Sequence, residues 1–189
     1  MATKPAFKHW TYAEFERLPV DDGNRYEIIA GELVVSPGPG LPHQELLGRL
    51  HVLLRPFVDA HRLGRVILSP FDVLFAEGDY LVPDLLFVRS DRASIVRGRG
   101  VEGAPDLVVE ILSPSTSFRD RGIKRERYAL YGVAEYWVID PRAARIDVYR
   151  LLEDAERPTT VASGSLDWQP VPGGPTLKVD LEALFRDLD

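Results

Sequence analysis

Three acidic residues interrupt segments whose composition is otherwise typical of buried β-strands. Asp84 lies in LVPDLLFV (81–88), and Asp106 and Glu110 lie in PDLVVEIL (105–112). Burying an isolated carboxylate is costly, so each must be paired, hydrogen-bonded, bound to a metal ion or placed at a strand end that faces water. Asp106 and Glu110 are four residues apart, which places them on one face of a strand.

A structural explanation competes with a chemical one for the two aspartates. Asp84 and Asp106 each follow a proline at a predicted strand start, where a carboxylate can stay hydrated and accept backbone hydrogen bonds. Glu110 lies too deep in its apolar run for that explanation. We therefore expect Glu110 to have a specific partner.

Two carboxylates on neighbouring strands and a nearby lysine suit metal-dependent hydrolysis of phosphodiesters. Carboxylates hold a hard cation such as Mg²⁺, and a lysine steadies the developing charge. Lys124 is the candidate, because it lies on a helix predicted from about 118 to 131, directly after the Glu110 strand. Asp120, Lys124 and Tyr128 share one face of that helix. The alternative is that Asp120 and Lys124 form an ordinary exposed ion pair.

The remaining pattern predicts an α/β protein with a mixed sheet. Thr11 and Glu14 have the spacing of a capping box, and 26–36 forms a hairpin about Ala30-Gly31. Apolar residues at helical spacing predict a long amphipathic helix over 41–61. The order strand, helix, strand over 105–140 favours a βαβ crossover. Further short strands are predicted in 65–88, followed by a mobile connection over 90–103 in which 92–96 could form a helical turn. A C-terminal ribbon with a short helix from Asp180 is also predicted.

Composition excludes several classes of protein. The chain has 189 residues, a net charge of −6 and no cysteine, which excludes disulfides, cysteine-ligated metals and thiol nucleophiles. No stretch is apolar enough for a signal peptide or membrane span, so we expect a cytoplasmic protein without membrane contact. Negative charge disfavours indiscriminate coating of nucleic acid. Two arginine clusters, at 92–99 and 119–127, form either a basic groove or solvated surface.

The motifs around these residues resemble the Uma-type family of restriction endonucleases. The resemblance is carried by PDLLFV (83–88), PDLVVEILSPS (105–115), Asp120-x-x-x-Lys124-x-x-x-Tyr128 and GVAEYWVIDP (132–141). The hairpin and the start of the long helix at Pro42-His43-Gln44 are also similar, so the resemblance covers roughly 10–152. That family is a branch of the PD-(D/E)XK nuclease superfamily.

The resemblance implies a restriction-endonuclease-like three-layer α/β/α core with a mixed central β-sheet. It implies that Asp84 and Glu110 are metal ligands, with Mg²⁺ or Mn²⁺ as cofactor, and that Lys124 is the third catalytic residue. The superfamily lysine usually lies two residues after the glutamate, where this chain has Leu112. The implied lysine has therefore migrated to the helix. Val82 replaces the polar residue, usually Gln, that often precedes the first Pro-Asp.

Three further residues are auxiliary candidates. Glu27 and His43 could reach the same cleft if the hairpin and the long helix pack beside it, although His43 could instead cap its helix. Asp106 shares the strand face of Glu110. The four histidines have no i, i+4 pair of the kind that binds zinc from one helix.

The expected function is hydrolysis of phosphodiester bonds in DNA by a single nuclease-like domain spanning 1–189, with about 153–189 as a peripheral extension. Specificity would come from loops such as 89–103 or from a homodimer, which would cut both strands by symmetry. Two alternatives stay open. One is a catalytically silent scaffold or regulatory protein in which the carboxylates only pair with Lys124 or Arg121, and the other is a hydrolase of small phosphate esters.

Overall fold

The computed structural model describes residues 8–18, 23–76, 78–98 and 100–188. The strands are β1 (Asn24–Ile29), β2 (Glu32–Pro37), β3 (Gly64–Leu68), β4 (Asp72–Ala76), β5 (Asp79–Leu81), β6 (Leu85–Arg89), β7 (Gly100–Glu102), β8 (Leu107–Ile111), β9 (Glu135–Asp140), β10 (Arg145–Arg150), β11 (Thr160–Ala162), β12 (Ser165–Trp168) and β13 (Leu177–Asp180). The helices are α1 (Tyr12–Phe15), α2 (Leu41–Ala60), α3 (Ser117–Arg119), α4 (Arg125–Leu130) and α5 (Leu181–Phe185), with a 3₁₀ helix at Ser90–Ile95 and a π-helical turn at Asp120–Lys124.

The central sheet has six strands in the order β11-β10-β9-β8-β6-β3. β8 and β9 are parallel, and the other neighbours are antiparallel. The helical segment 117–130 connects the parallel pair, as the βαβ prediction requires. The predicted mixed α/β fold is confirmed.

One face of this sheet forms the main apolar core. The helix α2 buries its apolar stripe there against alternate residues of β6, β8 and β9, among them Phe87, Val109 and Trp137. Trp168 of β12 is 2% exposed and packs edge-on against Phe87 and Trp137. The predicted short helix follows Asp180, which caps it. The C-terminal ribbon and this helix close the core rather than stand apart from it.

The opposite face is covered by the α3–α4 segment and by a second sheet. Tyr128 of α4 and Val133 pack on Val108 and Val138, which alternate with the residues of the first face. The segment is not the single α-helix that the spacing predicts. It contains a π-helical turn with non-helical backbone at Gly122, so the turn around Lys124 is wider than an α-turn.

The second sheet has the order β2-β1-β5-β4-β7. Its predicted hairpin β1–β2 turns at Ala30 and Gly31, which have φ of 53° and 85°, the paired positive values of a tight two-residue turn. The connection predicted over 90–103 contains the 3₁₀ helix, which overlaps the predicted helical turn at 92–96. It also contains β7, which pairs with β4 and which the sequence analysis does not predict. Across the described part of the chain, no helix combines the length and apolarity needed to cross a membrane.

Candidate active site

Strand register brings Asp84 and Glu110 together. β6 and β8 are antiparallel with Leu85 opposite Val109 and Leu86 opposite Val108, so the next position places Asp84 across from Glu110. Both residues project to the face that the α3–α4 segment covers, because strand side chains alternate. Asp84 is 1% exposed and Glu110 is 2% exposed. Asp84 is therefore not a hydrated carboxylate at a strand start, which was the structural explanation for it.

Lys124 lies between three carboxyl groups, those of Glu27 in β1, Glu110 in β8 and Asp120 in its own π-helical turn. Its Nζ is 2.5 Å from Glu110 Oε1, 2.9 Å from Glu27 Oε1 and 3.9 Å from Asp120 Oδ1. Its side chain is 2% exposed. The alternative of an exposed Asp120–Lys124 pair is therefore wrong, because both residues face inward from the π-helical turn.

Asp84 is held by donors from three directions. Arg25 Nη1 lies 2.9 Å from Oδ1, while His43 Nε2 at 3.0 Å and the backbone N–H of Ile111 at 2.7 Å contact Oδ2. Burial opposes ionisation of Asp84, but the His43 hydrogen bond and the charge of Arg25 outweigh it and lower its pKa to about 2. Asp84 is thus a carboxylate at neutral pH.

The cluster around Lys124 carries more acid than base. Burial raises the pKa of Glu110, Lys124 opposes that rise, and the negative charges of Asp120 and Asp84 reinforce it. Burial also raises the pKa of Asp120. Burial alone would lower the pKa of Lys124, but Glu110 and Glu27 raise it well above the ordinary value, so Lys124 stays protonated. One ammonium thus faces three carboxyl groups.

A pocket of about 230 Å³ opens onto this cluster. Arg25, Glu27, His43, Asp84, Glu110, Asp120 and Lys124 line its inner part. Its mouth lies between residues 36–40, which lead into α2, and residues 113–116, which follow β8. The buried charges can therefore be reached by a small ligand.

These residues suit a hard divalent cation held by few protein ligands. Among the described residues, no group of three or more His, Asp or Glu side chains is arranged to bind a metal ion. Mg²⁺, however, is commonly held by one or two carboxylates together with waters and substrate phosphate oxygens. Asp84 and Glu110 offer such a pair of oxygen donors, and the excess of carboxyl groups leaves negative charge for a cation to neutralise.

Of the auxiliary candidates, the structure brings two to the pocket and not the third. Glu27 contacts Lys124 and accepts the backbone N–H of Val82 at 2.9 Å. His43 contacts Asp84, and its capping alternative is wrong because α2 has Gly40 at its N-cap with no side-chain cap. Asp106 instead accepts hydrogen bonds from Arg89 N and Arg92 Nη1, away from the pocket.

Arg25 is the site residue that the sequence analysis misses. It lies two positions before Glu27 in β1, so the two share a strand face. That spacing is the signal that could have identified it.

The arginine clusters are largely paired with acids rather than open. Arg92 bonds Asp106, Arg97 pairs with Glu102, Arg121 with Asp140 and Asp147, and Arg127 with Asp79. Arg99 lies outside the described residues. Arg119, which donates to Ser36 Oγ at 2.7 Å, lines the pocket. No described residue of 89–103 lines the pocket, so specificity through that loop has no support from its position.

Comparisons with known proteins agree with this architecture. The model of the family Uma2, described as "Putative restriction endonuclease", matches residues 12–182, which extends the similarity into the C-terminal ribbon. A crystal structure titled as a "putative nuclease belonging to DUF820" from Anabaena variabilis is similar with a TM-score of 0.76 and 23% identity, covering 95% of this chain and 99% of that one. No curated protein matches the sequence significantly.

Proposed function

The chain belongs to the Uma2 family of restriction-endonuclease-like proteins, and from that premise we propose that it is a metal-dependent endonuclease acting on DNA. The observation that carries the proposal is the meeting of Asp84, Glu110 and Lys124. Two carboxylates from adjacent strands share one sheet face, and the Nζ of Lys124 lies 2.5 Å from Glu110 Oε1 at the inner end of an open pocket.

Asp84 and Glu110 are the residues that would hold the metal ion. When bound, Mg²⁺ or Mn²⁺ polarises a phosphate and lowers the pKa of a water molecule. Asp84 supports this role because its low pKa keeps it anionic across the whole physiological range. Tyr128 supports Glu110 by donating a hydrogen bond of 2.9 Å to Oε1, which fixes the orientation of that carboxyl group.

Lys124 and Arg25 would supply fixed positive charge on either side of the reacting phosphate. Lys124 acts by charge and not as a proton acceptor, because its pKa lies well above the ordinary value. Arg25 uses Nη1 for Asp84 and has further N–H groups for a phosphate oxygen. A buried cation that is already oriented stabilises developing negative charge without reorganisation during the reaction.

The test is cleavage of supercoiled and linear DNA with Mg²⁺ or Mn²⁺ by wild type, Glu110→Gln and Lys124→Met. We expect cleavage to fall by about 10²- to 10³-fold in each variant, the range for removing one oriented charge or hydrogen-bond donor from an active site. Glu126→Gln is the matched control, because it makes the same substitution at an exposed glutamate of α4 that does not line the pocket.

All variants must be purified by the same protocol, because contaminating nucleases would mimic activity. Each variant must also retain the wild-type circular dichroism spectrum, which shows that it is folded. Cleavage that persists in both variants at the level of Glu126→Gln would contradict the proposal. A parallel panel of nucleotides and small phosphate esters separates a DNA nuclease from a hydrolase of small substrates.

A catalytically silent scaffold is the second candidate, favoured by the partners that the carboxylates already have. Asp84 accepts three hydrogen bonds and Glu110 accepts two, as a structural ion-pair core would. Calorimetry with Mg²⁺ distinguishes the two. A nuclease site binds the ion and loses binding in Asp84→Ala, whereas a structural core binds none and only loses stability.

A further inference from the structure

Phe118 is the most exposed large apolar side chain among the described residues. It is 90% exposed, although a phenyl ring is among the groups that gain most from leaving water. Gly122, four residues further along the chain, also faces open space, because a Cβ built there would meet no atom within 4 Å.

Phe118 stands in the chain between residues that line two different pockets, although it lines neither itself. Arg119 lines the active-site pocket, whereas Ser117 lines a neighbouring pocket of about 700 Å³. The two pockets share lining residues, among them His43 and Ser113, so they adjoin. Residues 117–119 therefore form a ridge beside the place where the two pockets meet, and Phe118 is its exposed residue.

The chemistry around the ridge suits a nucleic-acid strand. Arg119 lies at the mouth of the first pocket, and Arg142, which is exposed, lines the second. Ser113 and Ser117 add hydroxyl groups that can bond phosphate oxygens. Aromatic rings flanked by basic side chains bind single-stranded nucleic acid, because each base can stack on the ring while the backbone follows the positive charge.

We infer that Phe118 stacks on an unpaired base next to the phosphodiester in the active site. The inference rests on the proposed function and adds a substrate preference to it. A base within perfect duplex is already stacked on its neighbours, and displacing it costs free energy that a mismatched, bulged or single-stranded base does not require. The protein therefore prefers DNA with an unpaired base beside the cleaved bond.

The test measures binding without cleavage, by fluorescence anisotropy of labelled oligonucleotides in EDTA. The three DNAs are a single strand, a perfect duplex and a duplex with one unpaired central base. The proteins are wild type, Phe118→Ala, Phe118→Trp and Leu152→Ala, the last being a control at a residue that is 68% exposed and whose chain neighbours line neither pocket. Phe118→Ala should fold normally because the ring is exposed.

We expect Phe118→Ala to weaken binding of the single strand and of the unpaired-base duplex by roughly 5- to 150-fold, the effect of removing one stacking ring. Binding of perfect duplex should change little, and Phe118→Trp should retain the preference. The slope of affinity against salt should not change, because the ring neutralises no phosphate. An electrostatic residue would alter that slope.

Two results would overturn the inference while leaving the proposed function intact. One is DNA binding in which Phe118→Ala matches Leu152→Ala on all three DNAs. The other is a wild-type dimer in sedimentation that Phe118→Ala dissociates without changing the preference among DNAs, which would make the ring a contact between copies. A wild type that binds none of the three DNAs, either in EDTA or with Ca²⁺ in its place, contradicts the proposed function itself, and the inference with it.

Discussion

One helical segment carries two cations, half-buried Arg127 and buried Lys124, that face very different surroundings. Arg127 and Tyr131 bond Asp79, whose Oδ1 also accepts the N–H of Ala30, so one acid meets one cation and ample donors. Lys124, less than one turn earlier, faces three carboxyl groups beside an open pocket. The balanced cluster joins the second sheet to α4, whereas the unbalanced one keeps negative charge for a ligand.

The difference teaches how to separate structural from functional ion pairs. A paired buried charge costs desolvation free energy that its partner offsets, and a cluster with excess like charge has no such offset. Such a cluster persists because the rest of the fold holds it in place. We therefore expect changes at Asp79 to reduce stability alone, and changes around Lys124 to reveal the repulsion among its acids.

The largest effect is expected for Lys124→Met. Removing the ammonium leaves three carboxyl groups buried together, so the free energy of unfolding should fall by about 3–5 kcal/mol in urea titrations. Adding Glu110→Gln should recover part of that loss, because one of the repelling charges is removed. If the loss of stability in the double variant equals the sum of the losses in the two single variants, the carboxyl groups do not repel one another. The contrast between the balanced and the unbalanced cluster would then be wrong.

Asp79→Asn should be less destabilising, by about 2 kcal/mol, because it weakens the charge-assisted hydrogen bonds that join buried Asp79 to the half-buried guanidinium of Arg127. DNA cleavage per folded molecule and Mg²⁺ binding should stay at wild-type levels. Urea unfolding and calorimetry at a temperature where the variant is folded provide the check. Loss of Mg²⁺ binding would show that the balanced cluster also serves the pocket.

Acid should weaken the protein through Asp84. Its pKa of about 2 lies below the ordinary 3.8, so its stabilisation is complete above about pH 4 and is lost as pH falls toward 2. The shift corresponds to about 2 kcal/mol. Urea midpoints across this range should fall more steeply for wild type than for Asp84→Asn, and parallel curves would contradict the assignment.

The smallest effects are expected from two tyrosines that donate to the two clusters. Tyr128→Phe removes the hydrogen bond to buried Glu110 and should cost about 1–2 kcal/mol, whereas Tyr131→Phe, on the half-buried side of Asp79, should cost less than about 1 kcal/mol. Only Tyr128→Phe should also slow DNA cleavage. Equal slowing by both would remove the functional distinction between the clusters.

Much of the fold and part of the site follow from local sequence. The spacing of leucines specifies α2, and the pair Ala30-Gly31 specifies the hairpin turn. Acidic residues inside apolar strands identify Asp84 and Glu110, because burial of a carboxylate demands a partner wherever it occurs. These features depend only on neighbours along the chain, so the sequence by itself determines them.

Only the tertiary structure decides which charges meet. Arg25 reaches Asp84 and Lys124 reaches Glu27 because β1, β6 and the π-helical turn converge across long sequence separations. The spacing of Arg25 and Glu27 shows that they share a strand face, but it does not show which residues they contact. Asp106 shares strand parity with Glu110, yet it stands before β8 begins and turns to Arg92. Strand register and the width of a helical turn set these contacts, and both arise from packing of the whole chain.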